Sequence, residues 1–193
     1  MKVISIDAAF ANMGLAAATI ATDGSIRCDG LMLVSTEREN GKVVRKSSDD
    51  LRRACLLVQE LKRWTELHQP KLAFAEVPSG SQSASAARAL GIAVGVLASC
   101  SVPIIEVSPL EVKRLFGAGK KGATKEQIIS WAVKHWPNAE WKRHRGSITK
   151  NNEHLADAMA VISAGMKTPA FQLLQGLQGQ PIPKPGSRRL LVL

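Results

Sequence analysis

Four side chains carry the chemistry this sequence offers. Asp7 ends the apolar run Val3-Ile4-Ser5-Ile6, and Glu76 ends Leu72-Ala73-Phe74-Ala75. His154 and Asp157 stand three residues apart, the second inside Leu155-Ala156-Asp157-Ala158-Met159. Each has a plainer reading when taken singly. An acid at a strand end is commonly a capping or loop residue, and a helical histidine is commonly a surface one. A charge lodged in or directly behind an apolar run is nevertheless costly unless something shares it. Carboxylates at the ends of neighbouring strands can converge, and three-residue spacing puts His154 and Asp157 on one helix face. Oxygen ligands in such a cage suit hard divalent cations, Mg²⁺ first. Two ions about 4 Å apart can clamp the attacking and leaving oxygens of a phosphodiester displacement. Glu153, four residues before Asp157, competes for the same face.

These residues need a scaffold to bring them together, and the hydrophobic pattern supplies one. Residues 3–7 read as a buried strand, and residues 14–21 and 25–34 as two β-rich segments around the turn signal Asp23-Gly24. Together they form an antiparallel meander. After a polar loop at 36–46, Ser47, Ser48, Asp49 and Asp50 offer caps. Leu51, Ala54, Cys55, Val58 and Leu61 then follow helical spacing toward Pro70. A strand at 72–76, a small-residue helix at 84–99 and a short strand at 103–106 come next. Ser108-Pro109 caps a short helix to Phe116. A glycine-containing loop at 117–122 follows, and Thr124 to Gln127 reads as a capping box opening a helix at 125–136. Residues 137–150 read as a basic loop. Asn151 or Asn152 caps a last helix through Ala164. The pattern predicts an α/β fold with a mixed five-stranded sheet and helices on both faces. Residues 1–166 form the domain, and 167–193 a Gln-, Gly- and Pro-rich tail, poorly ordered.

Charge narrows the partner. The 193 residues carry a formal net charge of +10. Residues 1–112 hold 12 basic and 12 acidic side chains, whereas residues 113–150 hold 10 basic and 2 acidic ones. That distribution excludes a uniformly basic, histone-like chain and describes a neutral scaffold carrying one basic surface for a polyanion. Lys113, Arg114, Lys120, Lys121 and Lys125 surround the glycine-containing loop. Lys142, Arg143, His144, Arg145 and Lys150 precede the last helix. Charge runs are usually just solvated surface. These flank the proposed site and few acids interrupt them, which favours phosphate contacts that hold a backbone without reading sequence. Trp141 reads as a core or loop anchor ahead of a base-stacking residue. Tyrosine is absent and aromatics are few, against a dedicated single-strand binder. Cys28, Cys55 and Cys100 are odd in number, far apart and without a CxxC pair, so neither a disulfide framework nor a structural zinc site is implied. The expectation is a reduced, cytoplasmic chain with no membrane span.

The sequence resembles the RuvC-type Holliday junction resolvases of the ribonuclease H-like superfamily over roughly residues 1–166, by order of elements. The most specific part is Ser108-Pro109-Leu110-Glu111-Val112-Lys113, followed by Gly117-Ala118-Gly119 and Thr124-Lys125-Glu126-Gln127. Ile6-Asp7, Glu76 with Ala89-Leu90-Gly91, and His154-Leu155-Ala156-Asp157-Ala158 complete it. Each motif is weak alone; their order and spacing are specific. The resemblance implies that Asp7, Glu76, His154 and Asp157 are the catalytic and metal-binding residues, with Mg²⁺ as the ion and two ions per site. Family members carry Asp or His at the place of His154, which leaves its role open between binding a softer ion such as Mn²⁺ and positioning the attacking water. It implies a homodimer paired through the small-residue helix, for which simple packing on the sheet is the rival reading. It also implies paired symmetric nicks in four-way or branched DNA, leaving 5′-phosphate and 3′-hydroxyl ends. Lys113 and Lys125 match basic positions of the family. One departure is Ser79, where the family often has a wedge aromatic, so junction opening must use other residues. Two alternatives stand beside this reading: a ribonuclease H-fold nuclease with broader substrates such as flaps and hybrids, and a non-catalytic junction-binding protein. An actin-like phosphotransferase is disfavoured, because no Gly-rich phosphate loop follows the first strand.

Overall fold

The computed structural model describes residues 1–39, 43–78, 80, 83–116 and 123–178. Its centre is a five-stranded sheet in the order β3-β2-β1-β4-β5. Strands β1 (Lys2–Asp7), β2 (Asn12–Ile20) and β3 (Ile26–Ser35) form the antiparallel meander, and β4 (Leu72–Glu76) and β5 (Ile104–Glu106) extend it in parallel from β1. The mixed sheet expected from the sequence is the one observed.

The period-two alternation of a strand sorts its side chains onto two faces. On one face Val3, Ala16, Phe74, Leu155, Met159 and Phe171 belong to one buried cluster. On the other, Ile4, Ile6, Met13, Leu15, Leu57 and Leu61 belong to a second. The first is covered by α4 (Lys125–His135), α5 (Glu153–Gly165) and α6 (Pro169–Gln178), the second by α1 (Lys46–His68) and α2 (Ala84–Ala98). Helix α5 lies close on the sheet through small residues, Ala158 over Ser5 of β1 and Gly165 over Phe74 of β4, both buried. At Gly165 an added Cβ would come within 2.2 Å of the Phe74 ring. No described helix is long and apolar enough to cross a membrane.

Several local expectations give way. Helix α1 starts at Lys46 without a side-chain cap, so Ser47 to Asp50 lie inside it. Its inward stripe is Asp50, Arg53, Leu57, Leu61 and Trp64, while Leu51 and Cys55 face solvent. Polar partners explain the rotation. Arg53 stacks 3.8 Å over the Phe10 ring and donates to Thr36 Oγ1, and Asp50 pairs with Arg88 of α2. The basic loop expected at 137–150 contains a short hairpin, β6 (Arg143–His144) and β7 (Ser147–Ile148). The tail expected from residue 167 begins instead with α6, held by Phe171, which is fully buried against Phe74 with ring centroids 5.3 Å apart. Ser79, Lys120, Lys121 and the rest of 117–122 lie outside the described residues, as does 179–193.

Candidate metal and nuclease site

The faces of the sheet decide which acids meet. Asp7 has the parity of Val3 and Ser5, and Glu76 that of Leu72 and Phe74, so both project toward α5. Register completes the approach: Asp7 pairs with Gly14 on one side and Glu76 on the other. Ser5, fully buried, donates from Oγ to the Ala158 carbonyl at 2.6 Å and pins α5 over the strand end. Helix α5 then presents His154 and Asp157 to the same place.

Asp7, His154 and Asp157 each offer a ligand atom within 4.8 Å of the others. His154 Nδ1 lies 2.7 Å from Asp7 Oδ2. Glu76 is not part of that tight group, yet it shares one cleft of about 230 Å³ with Asp7 and Asp157, walled by Lys113, Phe116 and Ile128. Helix α3 (Pro109–Arg114) supplies Lys113. It is held by the expected Ser108 cap, which is a full capping box with Glu111. Thr124 and Gln127 form the expected box on α4.

The electrostatics are those of crowded carboxylates. Burial first, and then the neighbouring Asp7, push the Asp157 carboxyl up to about 7, with His154 opposing. Burial and Asp7 also raise Glu76, with Lys113 opposing. The hydrogen bond to Asp7 raises His154 above its ordinary value against the opposing effect of burial. Like charges held together in a half-buried cleft are the donor set a hard divalent cation neutralises, so these residues fit such an ion. Glu153 is drawn elsewhere: its Oε1 sits 2.5 Å from Lys125 Nζ and 3.9 Å from His154 Nε2.

The expected phosphate-binding residues separate into two groups. Lys113 lines the cleft from α3, with exposed Arg114 beside it, and Lys125 at the start of α4 pairs with Glu153, the neighbour of His154. Lys142, Arg143 and Arg145 are exposed on and beside the hairpin. Trp141 is the expected anchor, 5% exposed, with Nε1 donating to the Trp136 carbonyl. Asn152 stands at the N-cap position of α5 but makes no cap bond; its side chain is spent on the hairpin instead. Two positioning residues escaped the sequence reading, Ser5 and Gly14. A buried serine inside an apolar strand was the one available signal for the first. Gly14 read only as an unremarkable strand start.

The sheet order and the helix bearing the last acid give the ribonuclease H-like fold expected from the sequence. More closely, it is the fold of the RuvC-type Holliday junction resolvases. Thermus thermophilus RuvC matches with a TM-score of 0.62 at 23% identity, over 91% of this chain and 97% of that one. The same protein in complex with a Holliday junction substrate matches at 0.63 and 19% identity, with the same coverage. The yeast mitochondrial Holliday junction resolvase Ydc2 matches at 0.57 and 13%, over 91% of this chain and 83% of that one. No protein-family model matches the sequence, and no curated protein matches it.

Proposed function

We propose that this chain is a metal-dependent endonuclease acting on four-way and related branched DNA, with paired symmetric nicks made by a homodimer. The observation that carries the reading is the convergence of Asp7, His154 and Asp157, beside Glu76, in a resolvase fold. Asp7, Asp157 and Glu76 would hold Mg²⁺ or Mn²⁺, with His154 as a further ligand or as the group that orients Asp7. When bound, the ions supply an activated water and neutralise charge on the scissile phosphate. The chain's own contribution is positional. The Asp7–His154 bond fixes both side chains, and the β1–β4 register holds Glu76 beside them. Lys113 brings positive charge to the cleft wall.

Helix α2 supports the dimer. Only Ala93, Val96 and Leu97 of its 15 residues are buried, and a Cβ on Gly91 or Gly95 would meet nothing within 4 Å. A twofold pair through this open face would give two identical sites for two opposed strands.

Incubating the protein with labelled junction, flap, duplex and RNA–DNA hybrid, with and without Mg²⁺ or Mn²⁺, tests the reading. Metal-dependent, symmetric nicks confined to the junction are expected. Equal cutting of all four substrates would favour the broader nuclease, consistent with Ser79 in place of a wedge aromatic. Binding without cutting in either metal would leave a junction-binding protein.

The two cleft-side lysines give a separate prediction. Lys113→Gln with Lys125→Gln is expected to weaken junction binding and to reduce the slope of log K against log salt by about one to two, as each lost phosphate contact removes roughly 0.9. The Lys125 share is the smaller, because Glu153 already partners that ammonium. An unchanged slope would make both lysines ordinary surface.

A further inference from the structure

Lys142, Arg143 and Arg145 are among the expected phosphate-binding residues, yet they lie outside the carboxylate cleft, and the β6–β7 hairpin that carries them is too well fixed for a solvated connection. Two strands of two residues do not hold themselves together in water. Here the base is clamped by Asn152, which is fully buried. Its Oδ1 accepts from the Lys142 N–H at 2.7 Å, and its Nδ2 donates to the carbonyls of Lys142 at 2.8 Å and Thr149 at 2.9 Å. The Thr149 N–H closes the same base on Lys142 O at 3.1 Å, and buried Trp141 anchors the incoming chain. At the tip Arg145 and Gly146 both take positive φ, 49° and 81°, the pairing whose twist suits a two-residue hairpin turn. Arg143 Nη1 donates to Gly146 O at 3.1 Å across it.

What this frame displays is charge. Residues 142–147 are all exposed, with Lys142, Arg143, His144 and Arg145 in succession and exposed Lys150 at the base. None of the four Lys and Arg side chains forms an ion pair with a described carboxylate, whereas Arg27, Arg52, Arg63, Arg88 and Lys125 all do. The hairpin residues do not line the carboxylate cleft, but Asn152 ties them to the turn that presents His154. An exposed element ordered in advance gives up little conformational freedom on binding. A two-stranded ribbon has the width to enter a DNA major groove, with phosphates on either side.

We propose that the β6–β7 hairpin is a preformed basic finger that seats on the phosphates flanking a groove of a DNA arm, outside the catalytic cleft. The proposal rests on the nuclease reading for its substrate. It assigns the hairpin to the duplex arm, and leaves the scissile phosphate to the cleft.

The test uses the full chain with a four-way junction in EDTA, so that binding and hydroxyl-radical footprints are read without cutting. Lys142→Gln with Arg145→Asn removes two charges; Lys142 joins the clamp only through its backbone, and asparagine accepts the left-handed turn. Binding about tenfold or more weaker is expected, with a salt slope smaller by about two and protection lost on one arm while it persists at the crossover. Arg145→Asn alone, at the exposed tip, should show half the slope change and the same arm-specific loss if the double variant folds poorly. Asn152→Ala keeps every charge but frees the finger, and should weaken binding several-fold with the slope unchanged. Parent-like affinity, slope and footprint in the charge variants overturn the finger while leaving the nuclease reading intact if Mg²⁺-dependent cutting persists. A parent chain that binds no DNA overturns both.

Discussion

Replacing Asp157 with Asn should abolish junction cutting, by at least about a thousandfold, while leaving junction binding in place. Asn keeps the shape of the side chain but is neutral, and it offers only one oxygen. The donor set of Asp7, His154 and Asp157, mutually within 4.8 Å, would lose a charge that the proposed divalent cation needs. Charge stabilisation by metal is worth several kcal/mol in such reactions, and about 1.4 kcal/mol accounts for each tenfold. The basic groups proposed to hold the DNA backbone lie on other elements, so binding has no reason to fall. Retained cutting would remove Asp157 from the site.

The same substitution should stabilise the metal-free protein at neutral pH, and the sign follows from the direction of its shift. Burial and Asp7 raise this carboxyl to about 7 in the folded chain, from an ordinary value of 3.8. The folded state therefore binds its proton more tightly than the unfolded state. The group's contribution to stability is fully present below about pH 4 and is lost as pH rises toward 7. Asn never ionises, so the gain over the parent should be absent near pH 4 and reach roughly 2–4 kcal/mol above pH 7. Urea unfolding in EDTA at several pH values reads that difference. Adding Mg²⁺ should stabilise the parent and not the variant. A gain that does not vary with pH would show that Asp157 does not carry the crowding.

The site was legible in the sequence where it rests on local pattern. Apolar runs ending in Asp7 and Glu76 marked strand ends, and the small-residue setting of Asp157 marked a buried acid. The capping residues Ser108 and Thr124 sit where their spacing put them. What was not legible depends on distant contacts. Nothing local says that β4 lies beside β1 in parallel, and only that pairing puts Glu76 against Asp7. Helix α1 misled because its apolar stripe at Leu51 and Cys55 competes with an inward row whose Asp50 and Arg53 satisfy themselves on Arg88, Thr36 and Phe10. The hairpin hides because its strands are two residues long and its support, Asn152, follows it in the chain. Helix α6 hides because a single anchor, Phe171, fastens a Gln- and Gly-containing segment whose Leu173 and Leu174 stay exposed. The fate of Glu153 was undecidable from spacing alone; the partner that removes it from the cleft, Lys125, is 28 residues away.

Gly14→Ala should damage both the fold and the activity, although Gly14 carries no functional group. It faces α5 from β2, directly opposite Asp7. An added Cβ would stand 2.2 Å from the His154 carbonyl oxygen and 2.6 Å from its carbonyl carbon. Those are backbone atoms, so no rotamer change relieves the contact; either β2 or the first turn of α5 must move. Overpacking of this kind costs about 1–3 kcal/mol and occasionally more, and a first-turn shift would move His154 away from its bond to Asp7. A displacement near 1 Å at a catalytic group is worth about a hundredfold in rate. The expected result is therefore a clear loss of stability together with about a hundredfold slower cutting, and weaker Mg²⁺ stabilisation at equal salt. Gly176→Ala is the matched control. It lies in α6 with nothing within 4 Å of the added carbon, and a helical glycine replaced by alanine should gain roughly 0.5–1 kcal/mol. If Gly14→Ala unfolds at the parent's urea midpoint and cuts at the parent's rate, the close seating of α5 on β2 is not what positions His154.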